Sequence, residues 1–193
     1  MGRAFKRESV DLDPDILIRG MKDGLSAEKA LMADQEIQEI LTAYRKEMVA
    51  KKAAAMKESG EKNKKEGEDF LAENKKKEGV ITLPSGLQYK VIKAGEGKKP
   101  KAPDIAIAHY RGFFINGFEF ADSYGRGTPG SFAVSRLIPG LAEAFQLMQE
   151  GAKWQVFIPS NLAYGERGSS DGKIAPNATL IFEIELISVQ EKK

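Results

Sequence analysis

The chain has 193 residues, 41% of them hydrophobic and 30% charged, which suits one medium domain or a small domain with an appendage. With no cysteine and a single histidine, disulfides, thiol nucleophiles, thiolate zinc sites and multi-histidine metal centres are excluded. Thirty basic against twenty-eight acidic residues leave a net charge of +2, so the overall charge calls for no nucleic acid or anionic membrane surface, and no apolar run is long enough to span a bilayer.

The start, Met1-Gly2-Arg3-Ala4-Phe5-Lys6-Arg7, has positive residues without an apolar run or a small-residue cleavage site. It reads either as a chain that is not exported or as one whose signal was removed. Asp13-Pro14 predicts a helix start, with Asp13 as cap and proline at the first position, where its missing N–H costs nothing. Leu17, Met21 and Leu25 then share a face at four-residue spacing, with Gly24 near the end. A second helix is predicted from Asp34, with Glu36 in its first turn to oppose the helix dipole. Ile37, Ile40, Leu41, Tyr44 and Met48 form its apolar stripe. From about Lys57 to Glu78 the residues are mostly Lys, Glu and Asp, the pattern of a solvated helix face. Gly60 and Gly67 there each cost about 1 kcal/mol relative to alanine, partly offset by Glu/Lys pairs, so an extended helix or a flexible charged stalk is expected. The short amphipathic helices before the stalk cannot close a core alone. Two readings stand on pattern alone: residues 14–56 fold back on their own C-terminal domain, or they meet a second copy.

From Val80 onward, period-two patterning takes over. Strands are predicted at 87–91, 105–110, 154–158 and 180–186, with a type I′ hairpin at Asn116-Gly117. One helix interrupts them, its stripe Leu141, Ala144, Phe145 and Met148 lying between Pro139-Gly140 and Gly151. The expected class is α+β: helical N-terminal segment, then a twisted antiparallel sheet with one short helix across it.

The nucleotide motifs fail: Gly112 to Gly117 has Walker-like glycine spacing, but Phe118 stands where the lysine is needed. His109, in an alternating strand with no nucleophile to serve, reads as a hydrogen-bonded sheet histidine. What remains is a set of aromatic and branched apolar residues near glycine-rich loops: Tyr110, Phe118, Phe120, Phe132, Leu137, Ile138, Tyr164, Ile174 and Phe182. Tyr164 lies in a loop with no stripe to join, which favours a pocket-facing role. Such an apolar concave site suits a small apolar guest such as a proline ring.

Tyr110-x-Gly112, Asn116-Gly117-x-x-Phe120, Val134 through Ile138-Pro139-Gly140, Ile158-Pro159-Ser160, Leu162-Ala163-Tyr164-Gly165 and Pro176-Asn177-Ala178-Thr179-Leu180-Ile181-Phe182 occur in the order and spacing of FKBP-type peptidyl-prolyl cis-trans isomerases. Over residues 85–189 the chain closely resembles that family. Gly20-Met21-Lys22-Asp23-Gly24-Leu25 and Phe70-Leu71-Ala72-Glu73-Asn74 resemble its macrophage-infectivity-potentiator-like bacterial branch, whose helical N-terminal domain dimerises. The resemblance implies a dimerisation domain at 1–50, a charged linker helix at 51–79 and an isomerase domain at 80–193. It implies catalysis of X-Pro rotation that assists protein folding, without cofactor or metal. The alternative is a non-catalytic or weakly catalytic dimeric chaperone using the same cleft. Implied partners are proline-containing peptides, unfolded proteins, macrolide inhibitors of the rapamycin type and a second copy of the chain, with no nucleic acid. The implied location is the periplasm or outer membrane of a Gram-negative bacterium.

The family pattern implies that Tyr110, Phe120, Asp122, Ile138, Tyr164 and Phe182 act in catalysis, while Phe132, Leu137, Leu141 and Ile174 bind substrate. Ile138 N–H and the Tyr164 hydroxyl would be donors to the substrate. Two positions depart from the pattern. The family has an aspartate directly after the Phe120 equivalent, meeting the tyrosine hydroxyl; here Ala121 stands there, and Asp122 serves only if a bulge re-aims it. The pocket-floor tryptophan is replaced by Leu141.

Overall fold

A computed structural model describes residues 13–25 and 32–192 of the chain. Helix α1 is Pro14–Leu25 and helix α2 is Asp34–Asn74. Asp13 caps α1 as predicted: its Oδ1 accepts the N–H groups of Asp15 at 2.8 Å and Ile16 at 3.3 Å. At the start of α2, Glu36 does more than oppose the dipole, because its carboxylate also accepts the Ala33 N–H at 2.9 Å. The described residues fall into two compact units, one within 1–52 and one within 53–193, and α2 contributes to both. In the first unit the predicted apolar stripes are present but uncovered: Leu17, Met21, Leu25, Ile37, Ile40, Leu41 and Tyr44 are all exposed. Residues 1–12 and 26–31, including the basic start of the chain, lie outside the described residues. Among the described residues no helix is long and apolar enough to cross a membrane.

In the second unit, seven strands make one antiparallel sheet: β1 (Val80–Thr82), β2 (Gln88–Lys93), β3 (Ile105–Phe114), β4 (Glu119–Asp122), β5 (Gly130–Ala133), β6 (Lys153–Ile158) and β7 (Leu180–Gln190). The order is β1-β2-β6-β7-β3-β4, and β5 pairs with the first half of β3. Helix α3 (Pro139–Leu147) starts with proline at its first position and buries Ala144 and Phe145. The core gathers Leu87, Met148, Val156, Ile158, Leu180, Ile184 and Leu186, none more than 1% exposed. The α+β class read from the sequence is the observed one.

Three local features differ from the sequence reading. Strands β1 and β5 are too short, at three and four residues, for alternation to announce them. The β3–β4 hairpin is not type I′. Gly117 N–H donates to Phe114 O and Phe114 N–H to Phe118 O, both at 2.9 Å, and Gly117 has φ of 84° while Asn116 does not enter the positive region. This is a three-residue loop closed by a left-handed glycine. Asn116 braces the loop with its side chain, whose Oδ1 accepts the Phe118 N–H at 3.0 Å.

The third difference is the charged half of α2, which is not a solvated stalk. Gly60, Gly67 and Asn74 are buried at seven-residue intervals on one side of the helix. Asn63 donates to Pro176 O at 2.8 Å, and Asn177 donates back to Gly60 O at 3.2 Å. Phe70 packs on Phe157 at 6.0 Å between ring centroids, and the buried Asn74 amide donates to Gln88 at 3.0 Å. The stripe exists, but it is built of glycine and asparagine, which a count of apolar residues does not register. A Cβ at Gly67 would run into the hydroxyl of buried Thr179. Gly67→Ala therefore sets a helix-propensity gain of about 1 kcal/mol against an overpacking cost of about 1–3 kcal/mol. The expected outcome is a lower urea midpoint, largely recovered in Gly67→Ala/Thr179→Ala, where the clashing oxygen is gone. A midpoint raised by Gly67→Ala alone would show the helix is not held closely there.

Candidate functional site

Alternation along β3 and β7 turns Tyr110, Phe182 and Ile184 to one face of the sheet, with Tyr110 opposite Ile184 and Gly112 opposite Phe182. α3 crosses that face, and between them lies an apolar cleft of about 230 Å³. Its walls are Tyr110, Phe120, Ala121, Phe132, Leu137, Leu141, Phe145, Tyr164, Phe182 and Ile184. The rings fix one another edge to face: Tyr110 on Phe132 with centroids 5.3 Å apart, and Phe120 on Phe182 at 5.6 Å. Gly112 leaves the space they need, since a Cβ there would stand 2.8 Å from the Phe120 ring. A second cleft of about 280 Å³, beside α2, sets Phe114, Ile115, Ala175 and Ala178 against the polar and charged side chains of Ser59, Asn63, Glu66 and Lys173, so its lining is mixed rather than aromatic.

Seven residues expected from the sequence thus meet in one cavity: Tyr110, Phe120, Phe132, Leu137, Leu141, Tyr164 and Phe182. Ile138 contributes no side chain to the wall. It is the residue that caps α3, and its N–H has no acceptor among the described residues. The Tyr164 hydroxyl likewise has no partner among them, and the side chain is 41% exposed. Ile174 does not line the cleft; only 7% exposed, it belongs to the hydrophobic core. Phe145 and Ile184 complete the wall although the sequence reading did not place them at the site. The signals were there: Phe145 lies on the α3 stripe with Leu141, and Ile184 follows Phe182 at the two-residue spacing that shares a strand face.

Asp122 is not at the site. A bulge does occur in β4, but the extra residue is Phe120, since Gly112 pairs with Ala121 and Phe113 with Glu119. Alternation resumes after it, so Ala121 meets the cleft and Asp122 falls on the Arg111 side, 3.7 Å from the Arg111 Nε. Its carboxylate accepts the N–H groups of Tyr124 at 2.7 Å and Gly125 at 3.0 Å. The Tyr110 hydroxyl instead accepts a hydrogen bond from Arg126 Nη2 at 2.6 Å.

His109 has the structural place expected of it, with Nδ1 3.0 Å from Ser123 Oγ and its ring stacked on Tyr124 at 4.5 Å. The Tyr124 hydroxyl donates to Glu185 at 2.8 Å. Burial, then this bond to a carboxylate, pushes the phenol from its ordinary value near 10 up to about 12. A raised folded-state value means that this stabilisation is complete below pH 10 and is lost as the pH rises to about 12. The slope of urea midpoint against pH in that window is expected to flatten in Tyr124→Phe. Parallel slopes for the two proteins would contradict this.

The cavity wall has no nucleophile and no charged side chain, which suits it to an apolar group; the Tyr164 hydroxyl belongs to a lining residue and Ile138 follows the lining residue Leu137. Comparison with known proteins agrees. Residues 1–91 match the domain amino terminal to FKBP-type peptidyl-prolyl isomerase, and residues 96–187 match FKBP-type peptidyl-prolyl cis-trans isomerase itself. The chain is 44% identical over 191 residues to the outer membrane protein MIP of Legionella longbeachae, covering 99% of this chain and 82% of that protein. It is 43% identical over 182 residues to the FKBP-type peptidyl-prolyl cis-trans isomerase FkpA of Aeromonas hydrophila, covering 94% of this chain and 67% of that one. The crystal structure of FkpA from Escherichia coli superposes with a TM-score of 0.78 at 36% identity, covering 97% of this chain and 87% of that chain. With both family models matched and relatives aligned over nearly its whole length, the chain belongs to the FKBP-type peptidyl-prolyl cis-trans isomerases and catalyses cis-trans rotation of X-Pro bonds.

Proposed function

We propose that the cleft between the sheet and α3 holds the proline ring of the substrate, with Tyr110, Phe120, Phe132, Leu137, Leu141 and Phe182 as its walls. The observation that carries this is the pairing of an apolar aromatic cavity with two donors that meet no acceptor among the described residues, Ile138 N–H and the Tyr164 hydroxyl. Rotation about an X-Pro bond must break amide resonance, against a barrier of about 18–20 kcal/mol. In the twisted transition state the C–N bond is single and the carbonyl less polarised, so an apolar cavity favours it over the charge-separated planar amide. The donors hold substrate carbonyls in register while this happens. A thousandfold acceleration needs about 4 kcal/mol of such differential binding. Leu141 keeps the floor apolar with a smaller side chain than tryptophan.

Tyr164→Phe tests the assignment. One hydrogen bond contributes about 0.5–1.5 kcal/mol, so kcat/KM in a protease-coupled assay should fall about threefold to tenfold. The urea midpoint should not move, because the hydroxyl bonds to nothing else in the described protein. Unchanged kcat/KM would remove Tyr164 from the site. A rapamycin-type macrolide should compete for the same cavity.

The uncovered stripes of α1 and the first part of α2 support a second copy of the chain as their partner, with residues 1–50 as the dimerisation domain, 51–79 as the linker and 80–193 as the isomerase domain. Such a dimer would hold unfolded proteins at two cavities. A periplasmic or outer-membrane-associated location in a Gram-negative bacterium belongs to the same reading, supported by the name of the Legionella longbeachae relative. Cell fractionation tests it, and recovery with cytoplasmic markers would overturn it.

A further inference from the structure

The cavity wall contains no carboxylate, and the nearest acidic side chain in sequence, Asp122, is turned to the other face of the sheet. Beside the wall stands Arg126, exposed, with one Nη2 donor on the Tyr110 hydroxyl at 2.6 Å and its guanidinium carbon 5.7 Å from the centroid of that ring. A guanidinium carries five N–H donors, and no carboxylate engages this one among the described residues. Arg126 is not a loose surface cation. The turn that carries it is braced twice, by the Asp122 carboxylate on the N–H groups of Tyr124 and Gly125, and by Gly127 N–H on Tyr124 O at 2.9 Å.

A held cation with spare forked donors at the edge of an apolar cavity is a site for a carboxylate brought in with the substrate. We propose that Arg126 determines specificity, favouring substrates with an acidic side chain immediately before or after the target proline. This rests on the reading that the cavity is the proline site. It follows from Ala121, because an aspartate at that position would sit on the same wall and neutralise the guanidinium from within.

The test is NMR exchange spectroscopy of the full chain with Ala-Glu-Pro-Ala, Ala-Gln-Pro-Ala, Ala-Ala-Pro-Glu and Ala-Ala-Pro-Gln. A largely exposed ion pair gives about a three- to fivefold preference for glutamate over glutamine in at least one pair, shrinking as salt rises. The Glu-to-Gln ratio should fall to about one in Arg126→Gln and in Ala121→Asp, and persist in part in Arg126→Lys. A ratio is read because either variant also touches the cavity wall and shifts the absolute rate. Glutamine peptides catalysed with no glutamate preference at either position, or a preference unchanged in Arg126→Gln, would overturn the proposal. Failure to catalyse any of the four peptides would instead count against the cavity as the proline site.

Discussion

Phe182→Ala is expected to lower stability by about 3–5 kcal/mol and kcat/KM on a proline tetrapeptide by about thirtyfold. The residue serves two structures at once. It is 7% exposed in the core, and its ring forms one wall of the cavity, edge-on to Phe120 at 5.6 Å. It also sits in the middle of the sheet, paired with Gly112 on one side and Val156 on the other. Removing the ring leaves a hole continuous with the cavity, and the Phe120 ring loses the surface that orients it. Water then reaches the bound amide, which favours the charge-separated planar form and removes part of the differential binding. A loss of about 2 kcal/mol from that differential is a factor of about thirty. Phe182→Leu separates the two roles: it keeps most of the buried volume and so most of the stability, while losing the flat edge against Phe120. Urea denaturation of both variants, with assays under conditions where each is folded, makes the measurement. Wild-type kcat/KM in a folded Phe182→Ala protein would mean that the ring supports only the core.

The cavity was legible in the sequence where side-chain type and spacing decide the outcome. Aromatic residues at alternate strand positions, such as Tyr110 and Phe182, have one buried face available, and the motifs around Ile138-Pro139-Gly140 and Tyr164-Gly165 mark the turns that bring loops back over it. Register was less legible. Whether Asp122 reaches the site depends on which β4 residue bulges, and Phe120 and Ala121 both lie in the same short strand with nothing local to choose between them. The bulge at Phe120 becomes clear only when β4 is paired with β3. Ile174 failed for a related reason, since an apolar residue beside a pocket loop serves core and wall equally well as a sequence. The docked half of α2 was hidden because contact there is made by absent side chains. Gly60 and Gly67 read as helix weaknesses until Pro176 and Thr179 are seen against them.

Leu17→Glu/Ile40→Glu is expected to convert a dimer into a monomer. In the first unit, Ile16, Leu17, Met21 and Leu25 of α1 and Ile37, Ile40, Leu41 and Tyr44 of α2 are all exposed, from 38% at Ile37 to 86% at Leu25. So dense a set of large apolar side chains exceeds the scattered exposure of an ordinary monomer surface. Each contributes about 1.5–3 kcal/mol when buried, so the set comfortably offsets an association cost of about 4–15 kcal/mol. Replacing two of them removes about 4 kcal/mol before any cost of burying the new charges, which weakens association by about a thousandfold or more. Light scattering at micromolar concentration should give two chain masses for the wild type and one for the variant. The cavity lies wholly in the second unit, so tetrapeptide isomerisation per chain should be unchanged. Refolding of an unfolded protein with several prolines should slow about tenfold, because two linked cavities raise the effective concentration of each for a chain held by the other. A wild-type protein that scatters as a monomer would sink the dimer. A monomeric variant that refolds the client as fast as the wild type would keep the dimer but deny it a part in holding unfolded chains.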